Sequence, residues 1–147
     1  MFSAKLILFA LAAAGNVLAV TLERRDTTVT CKNTQGNIVI SNQKAEGNIH
    51  AAPLFTEIAG GSKSGYPHQF KNENAPIVWP NAKCNNLAAG IILLEFPVFA
   101  DGHLYNWNSK PKDDPGPIRA IYTSPGKDYC GVIGHETGNM GPLKLCT

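Results

Sequence analysis

Four cysteines constrain this chain more than any other feature. Cys31, Cys84, Cys130 and Cys146 are spread along it, and no two make a CxxC pair. Zinc sites are commonly built on such short spacings, so the pattern argues against a structural metal. An even count of widely spaced cysteines in a small exported domain reads instead as a disulfide framework. Four cysteines allow three pairings. The preferred one joins Cys31 to Cys146, tying the two ends of the domain, and Cys84 to Cys130. Loops of this length are worth on the order of 4–5 kcal/mol each in the chain-entropy account, often less in practice.

Export is expected from the leader. Residues 1–19 carry Lys5, then the short apolar run Leu6–Ala14, then Val17-Leu18-Ala19 as a small-x-small cleavage site, the pattern of a secretory signal peptide. The run is too short to span a bilayer and is broken at Gly15-Asn16. Residues 20–25 end in the dibasic pair Arg24-Arg25, which suggests a second cut and a mature domain of residues 26–147. One small domain fits that length. Of the 13 Lys/Arg and 11 Asp/Glu, Lys5, Arg24, Arg25 and Glu23 lie in the leader, so the mature part is close to neutral. It has no basic footprint for long-range capture of duplex nucleic acid, and any such contact should be local. There is no Asn-x-Ser/Thr sequon.

The pattern of elements is α+β. Val29–Cys31 and Ile38–Ile40 flank the turn-rich segment Asn33–Asn37 and read as a hairpin. Ser41 or Asn42 can cap a helix running to about Ile58, with Ile49, Leu54 and Ile58 on its apolar face and Pro53 as a kink or break. After Gly60-Gly61 come extended segments at Pro67–Phe70, Ile91–Pro97, Ile118–Tyr122, Cys130–His135 and Leu143–Cys146, separated by long turn-rich stretches. One helix followed by several antiparallel strands is an α+β signature.

Glu95 is the most telling residue in these strands. It interrupts Ile91-Ile92-Leu93-Leu94-Glu95-Phe96-Pro97, where alternation puts Ile91, Leu93, Glu95 and Pro97 on one face. A carboxylate there is either solvent-facing or used, because burying it unpaired costs several kcal/mol. Tyr66, His68, Arg119 and His135 each lie in or beside another strand. Two histidines, a carboxylate, an arginine and a tyrosine are what acid–base chemistry on a phosphodiester needs, and a sheet could gather all five. His50 and His103 have no patterned neighbours and read as structural or surface residues. There is no HExxH, no GxSxG and no phosphate-binding P-loop.

The blocks Gly65-Tyr66-Pro67-His68-Gln69-Phe70, Leu94-Glu95-Phe96-Pro97, Asp114–Arg119, Gly131–Gly138 and the terminal Cys146-Thr147 appear in an order that resembles the small extracellular guanyl-preferring ribonucleases of fungi, the T-one type. The resemblance is good from Gly65 to Thr147 and weak before it. It implies a helix on a twisted sheet with the catalytic side chains on the concave face. It implies Glu95 as general base toward the ribose 2′-hydroxyl, His135 as general acid on the leaving 5′-oxygen, and a protonated His68 assisting. Arg119 and Tyr66 would bind phosphate oxygens, with Tyr66 at the rim. No cofactor or metal is implied, and the partner is single-stranded RNA, bound by a monomer away from any membrane.

The departures fall on recognition. Lys71-Asn72-Glu73-Asn74 replaces the family's Asn-Asn-Tyr-Glu, so a stacking tyrosine is absent and Asn72 and Glu73 are left to face guanine, with Phe70 and Lys71 beside them. Leu143 stands where the family carries a phenylalanine, and Gly141-Pro142 removes a backbone donor. Segments Ala75–Gly90 and Ala100–Gly116 look lengthened. Two functions follow: a secreted endoribonuclease with relaxed guanine preference, or a ribonuclease-like fungal effector that binds host RNA, a host protein or an immune receptor with little catalysis.

Overall fold

The computed structural model describes residues 25–54, 62–73 and 75–147. The expected signal peptide of residues 1–19, the expected propeptide up to Arg24 and the glycine pair Gly60-Gly61 lie outside the described residues, as do Ile58 and Asn74. A two-stranded hairpin, β1 (Thr28–Cys31) and β2 (Ile38–Ser41), leads into helix α1 (Asn42–Ala51). Five strands follow: β3 (His68–Gln69), β4 (Ile92–Pro97), β5 (Ile118–Ser124), β6 (Tyr129–Thr137) and β7 (Met140–Leu145). They form one antiparallel sheet in sequential order.

The helix starts where its first amides find acceptors. Ser41 Oγ accepts from Lys44 N at 3.0 Å, and Asp26 Oδ1 accepts from Gln43 N at 3.0 Å. It ends earlier than the expected Ile58. Ala52 is already extended, with ψ 146°, and its N–H bonds to Asn48 O at the helix end. Pro53 explains the stop, because a residue before proline is pushed out of the helical region. Ile49 is fully buried, and truncating it to alanine would cost about 2–5 kcal/mol.

Alternation divides the sheet into two faces. Leu94, Phe96, Ile118, Ala120, Tyr122 and Val132 face the main core with Ile40 and Ile49. Leu93, Ile121 and Ile133 face the other way, in a smaller cluster with Trp79 and the Cys84 and Cys130 side chains. Cys130 reaches that cluster through a bulge. Ile121 pairs with Gly131 but Tyr122 pairs with Tyr129, which leaves Cys130 as the extra residue. Gly131 adopts φ 148° there, a value that suits glycine.

Cys31 is bonded to Cys146 and Cys84 to Cys130. The first bridge fastens the hairpin to the C-terminus, where Thr30 and Thr147 also exchange backbone hydrogen bonds of 2.8 and 3.2 Å. Gly134 lies against it: a Cβ there would meet Ile118 Cδ1 at 2.9 Å and Cys31 Cβ at 3.1 Å. The second bridge anchors segment 75–90 to β6. That segment is held mostly by side chains. Asn85 brackets Trp79 through both its N–H and C=O, and Asn81 Nδ2 donates to Tyr129 O at 2.8 Å.

Candidate active site

Register places the charged side chains on the face opposite the helix. His68 is directly across from Glu95. Arg119 is across from Pro97 on one side and Ile133 on the other. His135 lies two residues beyond Ile133 and bonds through its backbone N–H to Pro117 O at 2.9 Å. Glu95, Arg119 and His135 therefore form a diagonal line, each step moving one strand across and two residues along. Diagonal neighbours of this kind sit about 7–8 Å apart.

Glu95 is 8 % exposed. Its Oε1 lies 3.0 Å from His68 Nε2, while Oε2 is buried with no hydrogen-bond partner among the described residues. His68 Nδ1 faces Gln69 O at 3.3 Å. With an acceptor beside each ring nitrogen, the doubly protonated ring satisfies both. The hydrogen bond to Glu95 is the main cause that raises the His68 pKa, against an opposing effect of burial.

Tyr66 is buried rather than at the rim, at 7 % exposure. Its ring stacks on His68 at 4.7 Å and meets Tyr105 edge-on at 5.6 Å. Its hydroxyl accepts from Arg119 Nε at 3.1 Å, which leaves the phenolic proton free to donate. Burial is the main reason its pKa is raised, so it stays a neutral donor. Arg119 Nη1 is spent on three carbonyls, Pro115, Gly116 and Ile118, at 2.7–3.0 Å. These contacts lock the guanidinium in place. Nη2 makes no hydrogen bond among the described residues.

His135 Nδ1 lies 2.8 Å from Gly141 O. A carbonyl only accepts, so Nδ1 carries the hydrogen and Nε2 is the atom left for proton exchange. A register shift follows His135, because Thr137 pairs with Met140. The N-terminal hairpin turn covers the carbonyls next to that shift. Asn33 Nδ2 donates to His135 O and Gly138 O, both at 2.8 Å, and Thr34 N donates to Glu136 O at 2.9 Å.

These features gather ionisable and hydrogen-bonding side chains on one face of an anchored sheet. A family profile described as ribonuclease matches residues 25–147. Ribonuclease alpha-sarcin of Aspergillus giganteus is 40% identical, with 97% of this chain and 96% of that protein covered. The chain belongs to the ribonuclease family. Among solved structures, the Aspergillus ribotoxin restrictocin superposes with a TM-score of 0.73 at 39% identity, covering 82% of this chain and 99% of that one. Restrictocin bound to a 29-mer sarcin/ricin domain RNA analog matches with the same TM-score at 38% identity, again covering 82% of this chain and 99% of that one. This ribonuclease is an endoribonuclease, and its fold is that of the ribotoxins.

The expected recognition residues have other duties in the structure. Asn72 closes its own loop, with Nδ2 donating to Ile77 O at 2.8 Å and Oδ1 accepting from Ile77 N at 2.7 Å. Phe70 packs edge-on against Trp79 at 5.9 Å in the smaller cluster. Leu143 packs on the same cluster and pairs with His135 across β6 and β7. Lys71 and Glu73 are exposed. Sequence reading missed Asn33, which looks like an ordinary turn residue, and Lys112, whose Nζ lies 5.9 Å over the Tyr66 ring. Nothing in the pattern around Lys112 marks it. Among the described residues, no three His, Cys, Asp or Glu side chains gather as a metal site. A cavity of about 600 Å³ opens beside α1 and the β6 bulge, but none of the five catalytic candidates lines it.

Proposed function

We propose that the protein is a secreted endoribonuclease that cleaves single-stranded RNA by acid–base transesterification, leaving 2′,3′-cyclic phosphate ends. The observation that carries this reading is the Glu95–His68 pair. A carboxylate on a buried strand face has one oxygen on a histidine at 3.0 Å and the other without a hydrogen-bond partner among the described residues. Glu95 is the base that takes the 2′-hydroxyl proton. His135 Nε2, on the far end of the diagonal, protonates the departing 5′-oxygen. Between them Arg119 Nη2 and the Tyr66 hydroxyl donate to the phosphate oxygens as charge builds, a stabilisation that needs no further cofactor. Each proton-transfer partner is worth about 10²–10⁴ in rate.

The N-terminal signal and the dibasic pair Arg24-Arg25 support export followed by trimming to Asp26–Thr147. The complete catalytic set favours the enzyme over a binding-only effector. A narrower substrate is supported by the restrictocin complex with a 29-mer sarcin/ricin domain RNA analog: one defined RNA element rather than any unpaired strand. The test is to incubate purified Asp26–Thr147 with total RNA and with a sarcin/ricin domain RNA analog. Fragments ending in 2′,3′-cyclic phosphate support the proposed chemistry. A single cut in the analog alongside little cleavage of total RNA would support the narrower target, and 3′-phosphate ends formed without a cyclic intermediate would contradict the mechanism.

A further inference from the structure

Gly141 carries the carbonyl that faces His135 Nδ1, yet the strand ladder does not fix Gly141. His135 pairs with Leu143 and Thr137 with Met140. Gly141 and Pro142 therefore stand opposite Glu136 alone, two residues against one, which is a bulge. Gly141 adopts φ 83° there, and Pro142 has no N–H to give the sheet. The contact of 2.8 Å between Nδ1 and Gly141 O thus depends on the turn that joins β6 to β7.

That turn is held from two sides. The Asn33 side chain takes the N–H and C=O of Gly138. On the next residue, Asn139 Nδ2 donates to Asp114 Oδ1 at 3.0 Å. The same Asp114 oxygen accepts from Gly116 N at 2.9 Å, two residues along, where Gly116 has φ 59°. Each residue that follows Asp114 is also tied to the site. Pro115, Gly116 and Ile118 supply the carbonyls that lock Arg119 Nη1. Pro117 O accepts from His135 N at 2.9 Å. One stretch, residues 114–118, therefore grips both Arg119 and the strand that carries His135. Asp114 is the member that extends the grip to the turn.

We propose that Asp114 is a positioning residue for His135: by holding Asn139 it sets the turn whose Gly141 carbonyl aims His135 Nε2 at the leaving 5′-oxygen. The proposal rests on the acid–base reading above. Asp114 serves as an acceptor for two N–H groups. Asparagine, whose Oδ1 accepts the same pair, can take its place, and alanine cannot. Small misplacements of a proton donor are felt in the rate, because proton transfer needs hydrogen-bond reach.

The test uses two substrates with one 5′ nucleoside. One is a dinucleotide. The other is the 3′-(4-nitrophenyl phosphate) ester, whose 4-nitrophenolate leaves without needing a proton. Asp114→Ala should lower kcat on the dinucleotide by about five- to thirtyfold with KM little changed, and by less than about twofold on the ester. Asn139→Ala should follow Asp114→Ala, and Asp114→Asn should keep most of the parent rate. Added to His135→Ala, Asp114→Ala should cost nothing more, because both changes remove one effect. Where His135→Ala spares the ester, equal losses from Asp114→Ala on the two substrates would overturn the proposal. So would no loss on either, or a further loss on top of His135→Ala. A readout without turnover separates the proposal from the reaction scheme. The His135 ring resonances should move in Asp114→Ala and stay near the parent's in Asp114→Asn. Resonances unmoved by Asp114→Ala would overturn the positioning whatever the ring does in catalysis. If His135→Ala itself loses as much on the ester as on the dinucleotide while the resonances move as expected, the acid assignment fails and the positioning by Asp114 stands.

Discussion

Asn33 and His135 are 102 positions apart, and the side-chain amide of the first donates to the backbone carbonyl of the second at 2.8 Å. The same amide group spans Gly138, donating to its carbonyl at 2.8 Å and accepting from its N–H at 3.2 Å. The hairpin turn thus holds the strand end that carries the proposed general acid. Asn33→Ala should lower kcat by about tenfold with KM little changed, and lower stability by about 1–3 kcal/mol, the cost of leaving partly buried carbonyls unmet. Steady-state kinetics on a dinucleotide beside urea unfolding check this. A stability loss with kcat untouched would mean that Asn33 supports the fold alone.

The His68–Glu95 pair makes stability depend on pH with a definite sign. The pKa of His68 is raised above 6.5 in the folded protein, chiefly by its hydrogen bond to Glu95. The folded state therefore holds this proton more tightly than the unfolded chain does. The pair's contribution is complete below 6.5 and is lost as pH rises through the raised value. Unfolding free energies of the parent and His68→Gln should converge across that alkaline-going window. A difference that grows with pH would contradict the assignment.

The face that carries the site was legible because Glu95 breaks an otherwise apolar alternation, and alternation alone then aligns Leu93, Ile121 and Ile133 behind it. The strands carrying His68, Arg119 and His135 were legible for the same reason. The helix end was misjudged, since Pro53 stops it at Ala51 while the apolar spacing runs on. Bulges were invisible. Nothing in Tyr129-Cys130-Gly131 shows that one residue drops out of register, yet that slip turns Cys130 toward Cys84. Segment 75–90 has no period to read because Asn72, Asn81 and Asn85 hold it through side-chain bonds. Asn33 and Lys112 act across the chain, through contacts that local patterns do not record.

Guanine preference should be weak. The Asn72 amide is engaged with Ile77, Glu73 is exposed, and no tyrosine covers the loop. A site built to pair a base rejects the wrong one by about 10⁴–10⁵, and here the spread among dinucleotides differing in the 5′ base should stay under about 10². Strict cleavage after guanine would show that backbone donors in this loop suffice.

The disulfides should differ in consequence. Cys31–Cys146 closes a separation of 115 residues and Cys84–Cys130 one of 46. Chain entropy values them at about 5 and about 4 kcal/mol, with measured effects often smaller. Removing the first should mainly lower the melting temperature and free the hairpin from His135. Removing the second should lower it slightly less and loosen segment 75–90. Non-reducing peptide mapping should return these two pairs, and a Cys31–Cys84 peptide would contradict the arrangement.

Glu95 and His135 are the proposed base and acid, at opposite ends of one diagonal. The most direct measurement compares purified Asp26–Thr147 with its Glu95→Gln and His135→Ala variants on total RNA, with and without EDTA. Parent cleavage should be indifferent to EDTA, and each variant should lose at least about 10² in rate while its unfolding transition stays intact. His135→Ala cutting RNA as fast as the parent, or EDTA abolishing cleavage, would contradict that assignment.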